Sequence, residues 1–111
     1  MQLDIRGHNL TPAVMDHVER RLRFALSRFG DRIRQIAVRL GGPNGPRGGA
    51  DKRCRVVVTL RPSGEVVVED TAPDVSMAID RGADRAQRAV ARAIARAREM
   101  RRSRTLLEEC A

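Results

Sequence analysis

The chain is 111 residues long, which suits one domain with one modest core. Its formal net charge of +8 and pI near 11.4 point to a polyanionic partner. With no Trp, no Tyr and only Phe24 and Phe29, it cannot read bases through a sheet studded with aromatics.

In chain order, residues 2–6 alternate apolar and polar and predict a short strand. Gly7, His8 and Asn9 are turn residues. Thr11 before Pro12 is an N-cap followed by proline at the first helical position. Val14, Val18, Leu22, Ala25 and Phe29 then recur at helical spacing, predicting an amphipathic helix that ends at Gly30. Ile36, Val38 and Leu40 mark a second strand, and residues 41–50 are a glycine-rich connection. Cys54, Val56, Val58 and Leu60 form the inner face of a third strand. Arg61-Pro62-Ser63-Gly64 is a tight turn, and Val66 and Val68 belong to a fourth strand. Pro73 and Asp74, with Asp74 as cap, open a long helix whose pattern continues to about residue 104. The end, Leu106 to Ala111, is expected to fray.

The order β-α-β-β-β-α predicts an α+β domain over residues 1–104, a four-stranded sheet with two helices packed on one face, and a short flexible tail at 105–111. The first helix would cross over, right-handed, between parallel strands one and two.

The long helix carries the most informative pattern. Arg81, Arg85, Arg88, Arg92 and Arg96 are four, three, four and four residues apart and share one face. Ile79, Ala83, Ala86, Val90, Ala93, Ile94 and Ala97 take the opposite face. Solvated helices usually mix signs, yet no acid interrupts this stripe, and a polyanion would relieve its self-repulsion. Arg20, Arg21 and Arg28, with His17 adjacent, flank the apolar stripe of the first helix. Of 22 basic residues only Lys52 is lysine, a bias that codon usage and phosphate chemistry explain equally well.

Other constellations carry no chemistry. His8 and His17 have no second histidine or cysteine at ligand spacing, so no metal or other cofactor is expected. No serine sits in a nucleophile-elbow context, and no cluster offers both a nucleophile and a base, so an enzyme is not expected. Asp80 and Asp84 have Arg81, Arg85 and Arg88 within reach and predict an exposed ion-pair network. The loop at 41–50 lacks the Gly-Lys-Ser/Thr ending of a phosphate cradle and joins two strands, though Arg47 could touch RNA. Cys54 and Cys110 make no disulfide scaffold, and no apolar run approaches the ~20 residues that span a membrane. A reduced, cytoplasmic location is the simplest expectation.

Three segments in order resemble the short ribosome hibernation-promoting factor and ribosome-associated inhibitor A family, also called sigma-54 modulation proteins. They are Met1–Asn9, Thr11 to Phe29 with Asp31-Arg32-Ile33, and Asp74-Val75-Ser76-Met77-Ala78-Ile79-Asp80. The resemblance implies a non-catalytic factor that binds 16S rRNA of the 30S subunit in the mRNA and tRNA channel and blocks translation sterically. It implies basic contacts from both helices. Arg85, Arg88 and Arg92, then Arg96, match basic family positions, as does Arg21; Arg20 and Arg28 lie on the same flank, and Arg81 shares the face by spacing alone. Ser76 and Met77 stand where an aromatic is common. No second domain for pairing ribosomes is visible, so such pairing is not expected, and the free protein is expected to be monomeric. The basic face alone also permits a general double-stranded RNA or DNA binder outside the ribosome. Membrane attachment fits poorly, because the apolar face is mostly alanine with no aromatic anchor. No small-molecule substrate is expected.

Overall fold

The computed structural model describes residues 2–7, 10–41 and 52–110, with side chains as far as Arg102. His8, Arg47 with its glycine-rich loop, and the side chains of Leu106 to Ala111 lie outside the described residues. The element order is β1 (Gln2–Gly7), α1 (Pro12–Leu26), a 3-10 turn (Ser27–Arg32), β2 (Ile33–Gly41), β3 (Lys52–Leu60), β4 (Glu65–Ala72) and α2 (Val75–Cys110). This is the expected β-α-β-β-β-α order. The sheet runs β1-β2-β3-β4, with β1 parallel to β2 and the other neighbours antiparallel.

Both helix starts form as their sequences dictate. Thr11 Oγ1 accepts from Val14 N at 3.2 Å, and Asp74 Oδ1 accepts from Met77 N at 2.9 Å. Each cap satisfies an amide that has no partner inside the helix. The first helix stops at Leu26, short of the expected Gly30, and the chain tightens into the 3-10 turn. Gly30 supplies the left-handed φ of 51° that turns the chain into β2.

Alternation decides which sheet face is buried. Ile36, Val38 and Leu40 of β2 stand opposite Val58, Val56 and Cys54 of β3, and all six are buried. Ile33 is buried as well, although it stands an odd number of positions, three, before Ile36. A register irregularity between Ile33 and Gln35 absorbs the odd residue and keeps both side chains on one face. Against this face pack Val18, Leu22, Ala25 and Leu26 of α1, and Ala78, Ile79, Ala83, Ala86 and Val90 of α2.

The long helix rides close to the sheet because its contact residues are small. A Cβ added at Gly82 would lie 2.9 Å from Cys54 Sγ. Burial, and secondarily the charge of Asp70, push the Cys54 thiol up to about 12. Core contact ends near Ile94. Ala97, expected on the apolar face, is exposed, as is every residue from 95 to 102, because the sheet has ended beneath them. The backbone stays helical to Cys110, past the expected end near 104. At 36 residues α2 is about 54 Å long by its rise per residue, nearly the 61 Å length of the whole molecule.

Candidate nucleic-acid interface

The five arginines of α2 do point away from the core, and all are exposed. The fold then divides them. Arg81 Nη1 donates to the Thr71 carbonyl of β4 at 3.0 Å. Arg85 Nε donates to Asp70 Oδ2 at 2.7 Å. Asp70 also accepts from the Thr71 amide at 2.8 Å. The Arg85 hydrogen bond, helped by that amide and by the charges of Arg85 and Arg81, outweighs burial and holds the Asp70 carboxyl below its usual range. These two arginines therefore fasten α2 to the edge strand.

Arg88, Arg92 and Arg96 have no ion pair or hydrogen bond among the described residues. They form an open rail about 12 Å long at 1.5 Å per residue. Two shallow grooves of about 350 and 670 Å³ follow the seam between α2 and β4, and Arg92 lines both. Asp70 and Asp84 line the first groove with Arg88 and Arg92, and Glu65 and Glu99 line the second with Arg92 and Arg96, so acids flank the rail along its length without pairing to it.

The arginines of α1 are engaged. Arg21 Nε donates to Asp80 Oδ1 at 2.9 Å, and its Nη2 to Asp84 Oδ1 at 3.3 Å. His17 Nε2 donates to the same Asp80 oxygen at 3.0 Å. Asp80 and Asp84 thus find their partners across the helix seam, on α1, instead of on their own helix as the spacing suggested. Arg21 is only 28% exposed and works as a clasp between helices. Arg20 pairs with Asp16 at 2.8 Å on the surface, and just beyond α1, in the 3-10 turn, the Arg28 guanidinium sits 5.0 Å from the Phe29 ring centroid. The basic flank of α1 is largely neutralised by acids of α1 and α2, so it extends the α2 field less than its arginine count suggests.

Sequence reasoning passed over Phe24. It is 79% exposed on α1, with Arg20 and Arg28 four residues to either side. Its signal was available, since Phe24 falls out of phase with the apolar stripe. Among the described residues no group of acids, histidines and cysteines could hold a metal ion, and no helix is long and apolar enough to cross a membrane.

Residues 2–98 match the family model described as sigma 54 modulation protein / S30EA ribosomal protein. The chain belongs to that family. Among solved structures, the N-terminal domain of Protein Y from Thermus thermophilus is 32% identical with a TM-score of 0.67; the match covers 83% of this chain and 98% of that one. A ribosomal subunit interface protein from Coxiella burnetii shares the fold at a TM-score of 0.70 and 17% identity, with 86% and 99% covered. No sequence among curated proteins matches this chain. The family membership and the shared fold agree with the resemblance carried by the three sequence segments.

Proposed function

We propose that this protein is a ribosome-associated factor that docks on the 30S subunit and represses translation while bound. Its contact would be with 16S rRNA in the channel used by mRNA and tRNA, and inhibition would come from occupancy of that channel. The membership in the S30EA ribosomal protein family supports the ribosomal partner. The observation that carries the contact surface is the rail of Arg88, Arg92 and Arg96, three fixed charges without a protein partner among the described residues. Guanidinium forks of this kind suit phosphate oxygens, and binding through them requires no aromatic stacking. Steric repression also needs no catalytic group.

Sedimentation with purified 30S subunits tests the reading. The wild-type protein should co-sediment and repress translation in a cell-free system. Arg88→Glu/Arg92→Glu/Arg96→Glu should do neither while remaining folded. Chemical footprinting of 16S rRNA should show protection at the mRNA and tRNA channel. If bulk duplex RNA displaces the protein as readily as free subunits do, the partner is RNA in general, and the proposal fails.

A further inference from the structure

The sheet has a second face, and neither helix covers it. Its central feature comes from strand register. Arg6 of β1 stands opposite Arg39 of β2, and Arg39 stands opposite Arg55 of β3. Three arginines therefore lie in one row across three strands, about 10 Å from first to last at the usual strand spacing. Like charges directly opposite each other on neighbouring strands work against the fold. The ends of this region are neutralised. Arg6 pairs with Asp4 at 3.1 Å, and Arg53 pairs with Glu69 at 2.8 Å. The middle has no such pair: Glu69 of β4 stands opposite Arg55 but bonds Arg53, and Arg39 and Arg55 are exposed with no ion pair or hydrogen bond among the described residues. Beside them lies a hollow of about 310 Å³ floored by Ala37 and Val57, and Val67 on the next strand is 48% exposed.

This face differs in kind from the α2 rail. It carries both signs, with two unpaired guanidiniums on an apolar floor and ion pairs around them. Arginine and apolar surface at the centre of a patch, ringed by paired charges, is the anatomy of a protein interface. A phosphate chain following the row would run into Glu69, which stands opposite Arg55 on β4. A carboxylate fits the paired forks of Arg39 and Arg55, and an apolar neighbour fits the floor.

We infer that the open sheet face binds an acidic peptide segment of a partner protein, its carboxylates on Arg39 and Arg55 and an apolar side chain over Ala37, Val57 and Val67. The inference stands apart from RNA docking by α2, and either can fail without the other.

The probe is a capped octapeptide of alternating Glu and Leu, titrated into ¹⁵N-labelled protein at physiological salt and followed by amide chemical shifts. Shifts are expected at residues 37, 39, 55, 57 and 67, with α2 undisturbed. Arg39→Gln/Arg55→Gln should weaken binding at least tenfold with unchanged spectral dispersion. Arg88→Glu/Arg92→Glu should leave it within twofold. A short RNA hairpin should shift α2 and spare the sheet. Peptide shifts on α2, an RNA hairpin that shifts the sheet face as strongly as the peptide, or no shifts on β2 and β3 would each overturn the inference.

Discussion

The division of the α2 arginines into anchors and rail predicts two classes of salt dependence. If the protein contacts about six phosphates, affinity for the small subunit should fall with salt at a log-log slope of about −4 to −5. Removing Arg88, Arg92 and Arg96 with glutamine deletes three of those contacts. Each is worth about 0.7 to 0.9 in slope, so the triple variant should retain a slope of roughly −2 to −3. Between 50 and 200 mM salt, the wild type then loses roughly 250- to 1,000-fold in affinity and the variant only roughly 15- to 60-fold. The variant's stability should change by less than about 0.5 kcal/mol, because these side chains are exposed and carry no partner among the described residues. Arg81→Gln/Arg85→Gln should do the reverse. It leaves Asp70 without its 2.7 Å partner and the Thr71 carbonyl without its donor, so the thermal midpoint falls. Its slope should stay within about 1 of the wild type. The assay is fluorescence anisotropy of labelled protein against 30S subunits at four or more salt concentrations, with thermal melts of the free proteins. An unchanged slope in the rail variant, or an equal loss in the anchor variant, would refute the division.

Other consequences follow from the same contacts. The Asp70 carboxyl, held below its usual range by Arg85, stabilises the fold at pH values above the unfolded carboxylate range, and that contribution disappears as pH falls through the lowered folded value. Solvent screening at the exposed Arg85 limits it to roughly 0.5–1 kcal/mol, so in urea titrations Asp70→Asn should cost about that much at pH 7 and nothing near pH 2. Gly82→Ala gains about 1 kcal/mol of helix propensity but drives a methyl against Cys54 Sγ, an overpacking cost of about 1–3 kcal/mol. Adding Cys54→Ala removes the clashing sulfur, so a double-mutant cycle should show favourable coupling of about 1 kcal/mol or more, and additivity would contradict the close approach. In a Cys110→Ser background the Cys54 thiol, pushed up to about 12 by burial, should resist alkylation at pH 8 until the protein unfolds. Because the neutral thiol is favoured in the folded state, that group's contribution to stability should decline as pH rises from about 9 toward 12. Arg21→Gln should lower stability by roughly 0.5–1 kcal/mol through loss of the clasp on Asp80 and Asp84, while shifting the salt slope little.

Much of the fold was legible because it rests on local periodicity. The parity of Cys54, Val56, Val58 and Leu60 marks one face of β3 whatever its neighbours do, and Thr11-Pro12 and Asp74 start helices through contacts three residues away. The boundaries that were missed depend on what lies beneath the chain. Helical spacing carries Ala97 on the apolar face of α2, but burial needs a sheet below it, and the sheet ends first. The bulge that lets Ile33 and Ile36 share a face is a property of β2 paired with β3, so a strict alternation over that stretch could not show it.

The site follows the same logic one level higher. Spacing placed five arginines on one face of α2, and they are there, but spacing cannot tell a bound arginine from a free one. That depends on carboxylates brought in from elsewhere in the chain. Asp70 reaches Arg85 because β4 lies at the sheet edge beside α2, and it arrives from 15 residues away. Asp80 reaches Arg21 only because α1 and α2 pack side by side, joining residues 59 apart. Within a helix, Asp80 and Asp84 were in reach of Arg81, Arg85 and Arg88, and the expectation of a local network was reasonable. The tertiary partners prevail because the helix seam excludes part of the solvent around Arg21, whereas a pair on the open face of α2 stays screened by water. Arginines of identical chemistry are thereby sorted into fasteners and a rail. Where an acid closes on an arginine the charge holds the domain together, and at Arg88, Arg92 and Arg96, which have no ion pair among the described residues, the charge stays open to the polyanion proposed above.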